Sequence, residues 1–201
     1  MINDVTKEIF KRFDSELFVE TGLFRAQTAV IVRSWFRKLK IIEIEINPEY
    51  CNYGEELFKY DENMSIYQSD SKIFLRDKID IFEKYNSPVF YLDAHWDPNQ
   101  WPLRDEIKYI SALRNPIIII DDFKTPGPDG KPSPDHGYDS YNGQDCDTEY
   151  ILDLIKPKTD CVFYAKEPTI DGQGCGIVFI NRKHKELKEK LSGIDLIMER
   201  I

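Results

Sequence analysis

The chain has 201 residues, of which 41% are hydrophobic and 31% are charged, and its formal net charge is -9 at pH 7. This length and balance are typical of one globular domain over residues 1–201, and they exclude an intrinsically disordered chain. The negative charge argues against nucleic acid or an anionic membrane as the main partner, because both require a basic surface.

The cysteines and the first residues of the sequence indicate the cellular compartment of the protein. The four cysteines form no C-x-x-C pair and resemble neither a zinc site nor a disulfide framework, so reduced thiols are expected. The first residues lack the apolar core of a signal peptide, and no apolar run is long enough for a membrane span. We therefore expect a cytoplasmic protein. The sequence leaves the oligomeric state open, with a homo-oligomer as one alternative.

Strand-like and helical patterns alternate along the first two thirds of the chain. In chain order they predict strand 17–20, helix 25–39, strand 41–46, helix 49–60, strand 64–68, helix 72–85, strand 89–92, helix 103–113 and strand 117–120. Two of these strands, 89–92 and 117–120, are apolar throughout, as expected where helices cover both faces of a parallel sheet. The alternation implies right-handed crossovers.

The last third departs from this alternation. Residues 124–145 are rich in Pro, Gly, Asp and Ser, which predicts either a substrate-binding lid loop or a disordered surface insertion. Residues 161–164 and 176–180 predict an antiparallel hairpin, and a charged helix from Lys183 is expected to finish the chain. The predicted fold is therefore α/β: a Rossmann-like, doubly wound, mostly parallel seven-stranded sheet with an antiparallel last hairpin and helices on both faces.

Acidic residues follow the five predicted parallel strands, at the edge where ligands bind in open α/β sheets. Glu20 and Gly22 lie at the end of the first strand, where Gly22 permits a close approach to the backbone. Glu45 can accept hydrogen bonds from both hydroxyls of a ribose, and Asp70 can accept one from an exocyclic amine. Taken alone, each residue is more often a helix cap or a surface charge. As an ordered set, they predict a nucleoside site.

A second group of acids predicts a metal site. Asp93 and the Asp121-Asp122 pair follow adjacent predicted strands, and three converging carboxylates repel one another unless a cation or protons neutralise them. Their hard oxygen ligands suit Mg²⁺ or Mn²⁺. His95 follows Asp93 by two residues, where it can act as a base. The alternative is that Asp122 caps the loop and His95 packs on Trp96.

Four segments together resemble the class I S-adenosylmethionine-dependent methyltransferases. They are 19–24 (VETGLF), 44–49 (IEINPE), 68–70 (QSD) and 92–96 (LDAHW). The resemblance covers about residues 17–182 and is closest to bacterial enzymes of sugar-modifying or unassigned role. It implies a seven-stranded sheet with a reversed last hairpin.

The resemblance also implies roles for individual residues. The cofactor-binding residues it implies are Glu20, Thr21, Gly22, Glu45, Asp70, Ser71 and Asp93. Asp93, Asp121 and Asp122 are similar to the metal triad of cation-dependent O-methyltransferases, where the metal binds the acceptor hydroxyls. In some sugar enzymes a histidine shortly after the first aspartate is the base, which implies a catalytic role for His95 with Asp93.

The expected function is methyl transfer from S-adenosylmethionine to a small polar acceptor, such as a sugar or glycan hydroxyl, assisted by a divalent cation. Two other classes are alternatives. A catalytically idle adenosyl-binding protein of the same fold is one, since the first loop has a single glycine followed by Arg25 and Ala26. A nicotinamide dehydrogenase is the other, although its G-x-G-x-x-G fingerprint is absent.

Overall fold

A computed structural model describes residues 2–94, 101–127 and 131–201. The strands are β1 (Leu17–Thr21), β2 (Lys40–Glu45), β3 (Met64–Gln68), β4 (Val89–Leu92), β5 (Ile117–Ile120), β6 (Ser140–Tyr141), β7 (Gln144–Asp145), β8 (Cys161–Ala165), β9 (Gly176–Phe179) and β10 (Leu196–Arg200). The helices are α1 (Asp4–Arg12), α2 (Gln27–Trp35), α3 (Pro48–Leu57), α4 (Ser71–Lys78), α5 (Leu103–Ile110), α6 (Thr148–Ile155) and α7 (His184–Lys190). A short 3-10 helix, Ile79–Phe82, continues α4.

The main sheet confirms the predicted doubly wound topology. Its strand order is β10-β8-β9-β5-β4-β1-β2-β3. Strands β1 to β5 pair in parallel, whereas β9 pairs antiparallel with both β5 and β8. The order reverses at β1, which lies between β2 and β4, so a crevice opens at the carboxyl ends of β1 and β4.

Both faces of the sheet are buried, as the apolar strands predict. One core packs side chains of α4, α5 and α6 against residues such as Val19, Phe90 and Ile118. The other packs α1, α2 and α7 against residues such as Phe18 and Ile119. Because the side chains of a strand alternate between faces, each central strand contributes to both cores.

The end of the chain differs from the prediction. Lys183 is the N-cap of α7, but the chain continues as β10, which pairs antiparallel with β8 and makes the main sheet eight-stranded. The final strand was missed because its three apolar residues are followed by Glu199 and Arg200, so no period-2 alternation marks it. Helices α1 and α6 were not predicted either, and both begin at side-chain caps, Asn3 and Asp147.

No helix among the described residues is both long and apolar enough to cross a membrane.

We expect β10 to stabilise the sheet through its inward-facing residue. Ile197 packs against the first core, whereas Met198 on the opposite face is 37% exposed. Ile197→Ala should lower the free energy of unfolding by about 1–2 kcal/mol, because it removes partly buried apolar surface. Met198→Ala is the matched control and should change it by less than about 0.5 kcal/mol. Urea unfolding of both variants measures the difference, and equal values would contradict a packed β10.

Candidate functional site

A cavity of about 540 Å³ opens at the carboxyl ends of the central strands. The described residues that line it come from the ends of β1 and β2 and the segments that follow them, from the loops after β4 and β5, and from the β8–β9 connection. They are Glu20, Gly22, Leu23, Phe24, Arg25, Gln27, Thr28, Glu45, Asn47, Tyr50, Asp93, Asp121, Asp122, Asp171 and Gln173. The volume lies within the range of small-molecule and cofactor sites.

Gly22 allows the backbones after β1 and β4 to meet at this cavity. Its φ is +88°, a conformation that side chains disfavour, and a Cβ at this position would lie 2.7 Å from the carbonyl oxygen of Asp93. The Asp93 amide donates to the Thr21 carbonyl at 3.1 Å, which continues the β1–β4 ladder beyond the strands. Only glycine satisfies both constraints, so Gly22 is required by the fold as well as exposed to the cavity.

The loop from β1 to α2 has the backbone conformation typical of glycine at two positions that are not glycine. Phe24 has φ 46° and Ala26 has φ 59°, so left-handed residues alternate from Gly22 to the residue that precedes α2. The Phe24 ring is 48% exposed and meets the Tyr50 ring edge-on, with 4.8 Å between the ring centres. Both rings lie at the cavity. Phe24 therefore places a large side chain at a positive φ, where bulky residues are uncommon.

Two backbone amides hold the carboxylate of Glu45 at the cavity. Its Oε2 accepts a hydrogen bond from the Phe24 amide at 2.9 Å, and its Oε1 accepts one from the Asn47 amide at 2.7 Å. The side chain is 4% exposed. Each carboxylate oxygen can accept a second hydrogen bond, so the group is fixed in orientation while still able to bind two hydroxyl donors.

Glu20, which lines the cavity, has a second glutamate beside it, Glu43, which does not. Glu20 and Glu43 are opposite each other in the β1–β2 register, and both are buried. Burial raises the pKa of both carboxyls, and the charge of Glu43 adds to the effect on Glu20. A hydrogen bond with Thr28, in the first turn of α2, partly offsets this effect because it lowers the pKa of Glu20.

The other end of the cavity is acidic. Asp93, Asp121 and Asp122 follow β4 and β5, and Asp171 approaches from the β8–β9 connection. Burial, with a contribution from the Asp122 charge, raises the pKa of Asp121. Arg25 is the one basic residue among the described lining residues. The cavity therefore favours ligands that carry positive charge or hydroxyl donors over anions.

The three predicted metal ligands all line the cavity, but the described residues do not support a metal site there. Among residues 2–94, 101–127 and 131–201, no group of three His, Cys, Asp or Glu side chains has an arrangement that could hold one. Asp122 has φ 50°, and Asp121 is buried. The predicted Mg²⁺ or Mn²⁺ site on Asp93, Asp121 and Asp122 therefore has no support in the structure.

Other predicted site residues lie elsewhere. Asp70 caps α4, accepting a hydrogen bond from the Lys72 amide at 3.0 Å, and it is not among the residues that line the cavity. Ser71 and Thr21 are buried and also lie outside that set. His95, the predicted base, lies outside the described residues.

Sequence reasoning missed two residues at the acidic end of the cavity. Asp171 and Gln173 belong to the turn between β8 and β9, which the sequence marked only as a glycine-containing connection. Two hydrogen bonds tie this turn to the 124–145 loop: the Gly137 amide donates to Gly172 at 2.9 Å, and the Gly174 amide donates to Gly137 at 2.8 Å. The described part of the long loop thus supports the cavity wall without lining it.

Solved structures of methyltransferases match this architecture. A putative O-methyltransferase from Klebsiella pneumoniae has a TM-score of 0.56 and 14% identity over 90% of this chain and 81% of that chain. The N-methyltransferase NodS from Bradyrhizobium japonicum WM9 has a TM-score of 0.53 and 10% identity over 89% and 92%. The N-terminal domain of EvdMO1, in the presence of SAH and D-fucose, has a TM-score of 0.51 and 12% identity over 89% and 81%.

This chain has the class I methyltransferase fold. The identities are low, so the likeness establishes the fold alone. No family model matches the sequence, and no curated protein matches it. Relative to the seven strands expected for the methyltransferase fold, β10 is an additional edge strand.

We expect Gly22→Ala to be more destabilising than strain at φ alone explains. Gly193, far along the chain in the α7–β10 connection, has a similar φ of +79°, but a Cβ added there would meet nothing within 4 Å. Gly193→Ala should cost about 1 kcal/mol from backbone strain. Gly22→Ala adds a clash with the Asp93 backbone and should cost about 3 kcal/mol. Chemical unfolding measures both, and equal losses would show that the two loops are not in close contact.

Proposed function

We propose that this protein is an S-adenosylmethionine-dependent methyltransferase acting on a small polar acceptor such as a sugar or glycan hydroxyl. The observation that supports it most directly is the Glu45 carboxylate, held at the cavity by the Phe24 and Asn47 amides with acceptor capacity left for the two hydroxyls of a ribose. The position of this acid, next to a tight Gly22 turn at the reversal of strand order, is where a nucleoside binds in such folds.

The remaining cofactor contacts follow from the same geometry. Glu20 and Asp93 offer acceptors for the ammonium group of the amino-acid part, and Gly22 allows that part to approach the backbone. Phe24 and Tyr50 offer apolar surface at the Glu45 side of the cavity. Asp70 and Ser71 stay predictions for the adenine end, and the capping role of Asp70 counts against its participation.

When bound, S-adenosylmethionine supplies a methyl group activated by its sulfonium. The task of the chain is to align an acceptor oxygen with that methyl group and to receive one proton. The oxygen–carbon bond forms as the carbon–sulfur bond breaks, and the acceptor proton passes to a base. We propose Asp93 or His95 for this role, because Asp93 lines the cavity and His95 follows it by two residues.

The acceptor side supports a neutral or cationic substrate. Asp121, Asp122 and Asp171 lie on this side, and a carboxylate or phosphate on the acceptor would meet their charge. Among the structural neighbours, EvdMO1 was solved with SAH and D-fucose, a neutral sugar. The four cysteines are unpaired thiols, which supports the proposed cytoplasmic location.

A non-catalytic adenosyl-binding protein is the second candidate. It is favoured by the side chain of Phe24, which lines the cavity at a positive φ that suits glycine. Thermal-shift measurements with S-adenosylhomocysteine, NAD and ATP test binding, because a ligand that prefers the folded state raises the melting temperature. Turnover of S-adenosylmethionine with a panel of sugars then separates an enzyme from a binding protein.

Glu45→Ala should weaken the binding of S-adenosylhomocysteine about 10- to 100-fold, because it removes two hydrogen bonds to a charged acceptor. Asp70→Ala removes a helix cap and should cost about 1 kcal/mol of stability with little change in affinity. Isothermal titration calorimetry gives both affinities. Unchanged binding by Glu45→Ala would contradict the ribose role, and a large loss for Asp70→Ala would restore the adenine role.

Acceptor charge should govern turnover. Neutral hexoses and amino sugars should outperform uronic acids and sugar phosphates by about tenfold or more, because each acidic group is repelled by the acceptor-side carboxylates. Conversion of S-adenosylmethionine to S-adenosylhomocysteine, followed by mass spectrometry, measures this with one panel. Faster methylation of the anionic members would show that acceptors enter from a different side.

A further inference from the structure

Two glutamate side chains lie next to each other inside the sheet. Glu20 of β1 and Glu43 of β2 are register partners, so their side chains emerge on the same face about 5 Å apart. Their exposures are 1% and 0%. Glu20 also lines the cavity, whereas Glu43 does not. The proposed cofactor contacts use Glu20 and leave the second carboxyl without a role.

The surroundings of the pair offer little compensation for its charge. As ionised groups, Glu20 Oε2 and both carboxyl oxygens of Glu43 accept a hydrogen bond from no described donor, whereas the two carboxyls lie within hydrogen-bonding reach of each other. Thr28 approaches Glu20 from α2, Tyr91 is its register partner on β4, and Glu45 lies two residues beyond Glu43. None of these neighbours is a cation. Two buried carboxylates in such a place are strongly unfavourable unless they hold protons.

Burial acts on the titration of both groups in the same direction. It raises the pKa of Glu43 to about 8, and the Glu45 charge adds to the effect. Burial and the Glu43 carboxyl together raise the pKa of Glu20 well above its usual range. Near neutral pH the ligand-free pair therefore holds at least one proton.

We infer that Glu43 is a positioning residue for cofactor binding, which shares a proton with Glu20 and orients the Glu20 carboxyl toward the cavity. The inference rests on the proposed function. When an ammonium group binds at Glu20, its positive charge stabilises the singly protonated pair, in which Glu43 donates its proton to ionised Glu20. A pair that held two protons releases one to solvent, and the ligand keeps all of its own protons. In the complex, the single negative charge of the pair neutralises the positive charge of the ammonium group.

The linkage makes affinity depend on pH. Binding releases protons, so S-adenosylhomocysteine should bind more tightly as pH rises from about 6 to 8. Calorimetry at pH 7 in phosphate and in Tris, whose ionisation enthalpies differ, gives the number of protons released. We expect about half a proton or more per site for the natural sequence. Equal binding enthalpies in the two buffers would overturn the inference.

Glu43→Gln and Glu43→Leu separate orientation from simple packing. The glutamine amide donates to Glu20 as the protonated Glu43 carboxyl does, so affinity should stay within about threefold. The amide lacks the charge and the proton by which Glu43 raises the pKa of Glu20, so Glu20 ionises more readily in the ligand-free protein and proton release on binding should fall below that of the natural sequence. Leucine fills the space but donates nothing, and affinity should fall about tenfold or more. Glu62→Gln, an exposed glutamate before β3, is the control and should behave as the natural sequence. Unchanged proton release in Glu43→Gln would refute a shared proton.

A measurement without cofactor distinguishes failure of this inference from failure of the proposed function. A glutamate in the unfolded chain titrates near about 4.3. The raised pKa values mean that the folded state binds more protons, so the melting temperature of the ligand-free protein should fall as pH rises from about 5 to 8. Glu43→Gln should reduce that fall. If S-adenosylhomocysteine does not bind, the proposed function fails, and this pH dependence alone decides whether the proton is shared.

Discussion

The parallel register of β1 between β2 and β4 is the constraint on which the rest of the structure depends. It brings the ends of three strands to one edge, so that Glu20, Glu45 and the Asp93 backbone meet around Gly22. Without a residue lacking a side chain at position 22, the β1 and β4 loops could not approach. The site is thus a consequence of sheet order and a single close backbone contact, rather than of a local sequence motif.

Much of this architecture could be predicted from the sequence, because its signals are local. The four-residue apolar strands β4 and β5 and the helices between them follow from hydrophobic periodicity. Strand β10 could not be predicted, since its place depends on the free edge of β8 rather than on its own pattern. At the site, Glu45 was anticipated as an acid at a strand end, but its two amide donors come from loop conformation that composition does not reveal.

The same limit explains the aspartates. The sequence indicates correctly that acids follow β4 and β5, and the structure places Asp93, Asp121 and Asp122 at one cavity. Whether three such groups bind a cation depends on the distances and directions of their oxygens, which topology does not fix. The place of Asp171 at the cavity could not be predicted, because a turn between antiparallel strands has no sequence pattern that indicates function. Protonation, the other way to neutralise crowded carboxylates, is the one that the buried Glu20–Glu43 pair exemplifies.

The hydrogen bonds that join Gly137 to Gly172 and Gly174 tie one wall of the cavity to the 124–145 loop, whereas the facing wall is built on the central sheet. The half built on β1 and β2 is locked into the central sheet, so alterations there threaten folding. The opposite wall is formed by the β8–β9 turn, which is hydrogen-bonded to the 124–145 loop. Under the proposed function, exchanging the 124–145 loop together with this turn would change which molecules are accepted and leave the wall built on β1 and β2 unaltered.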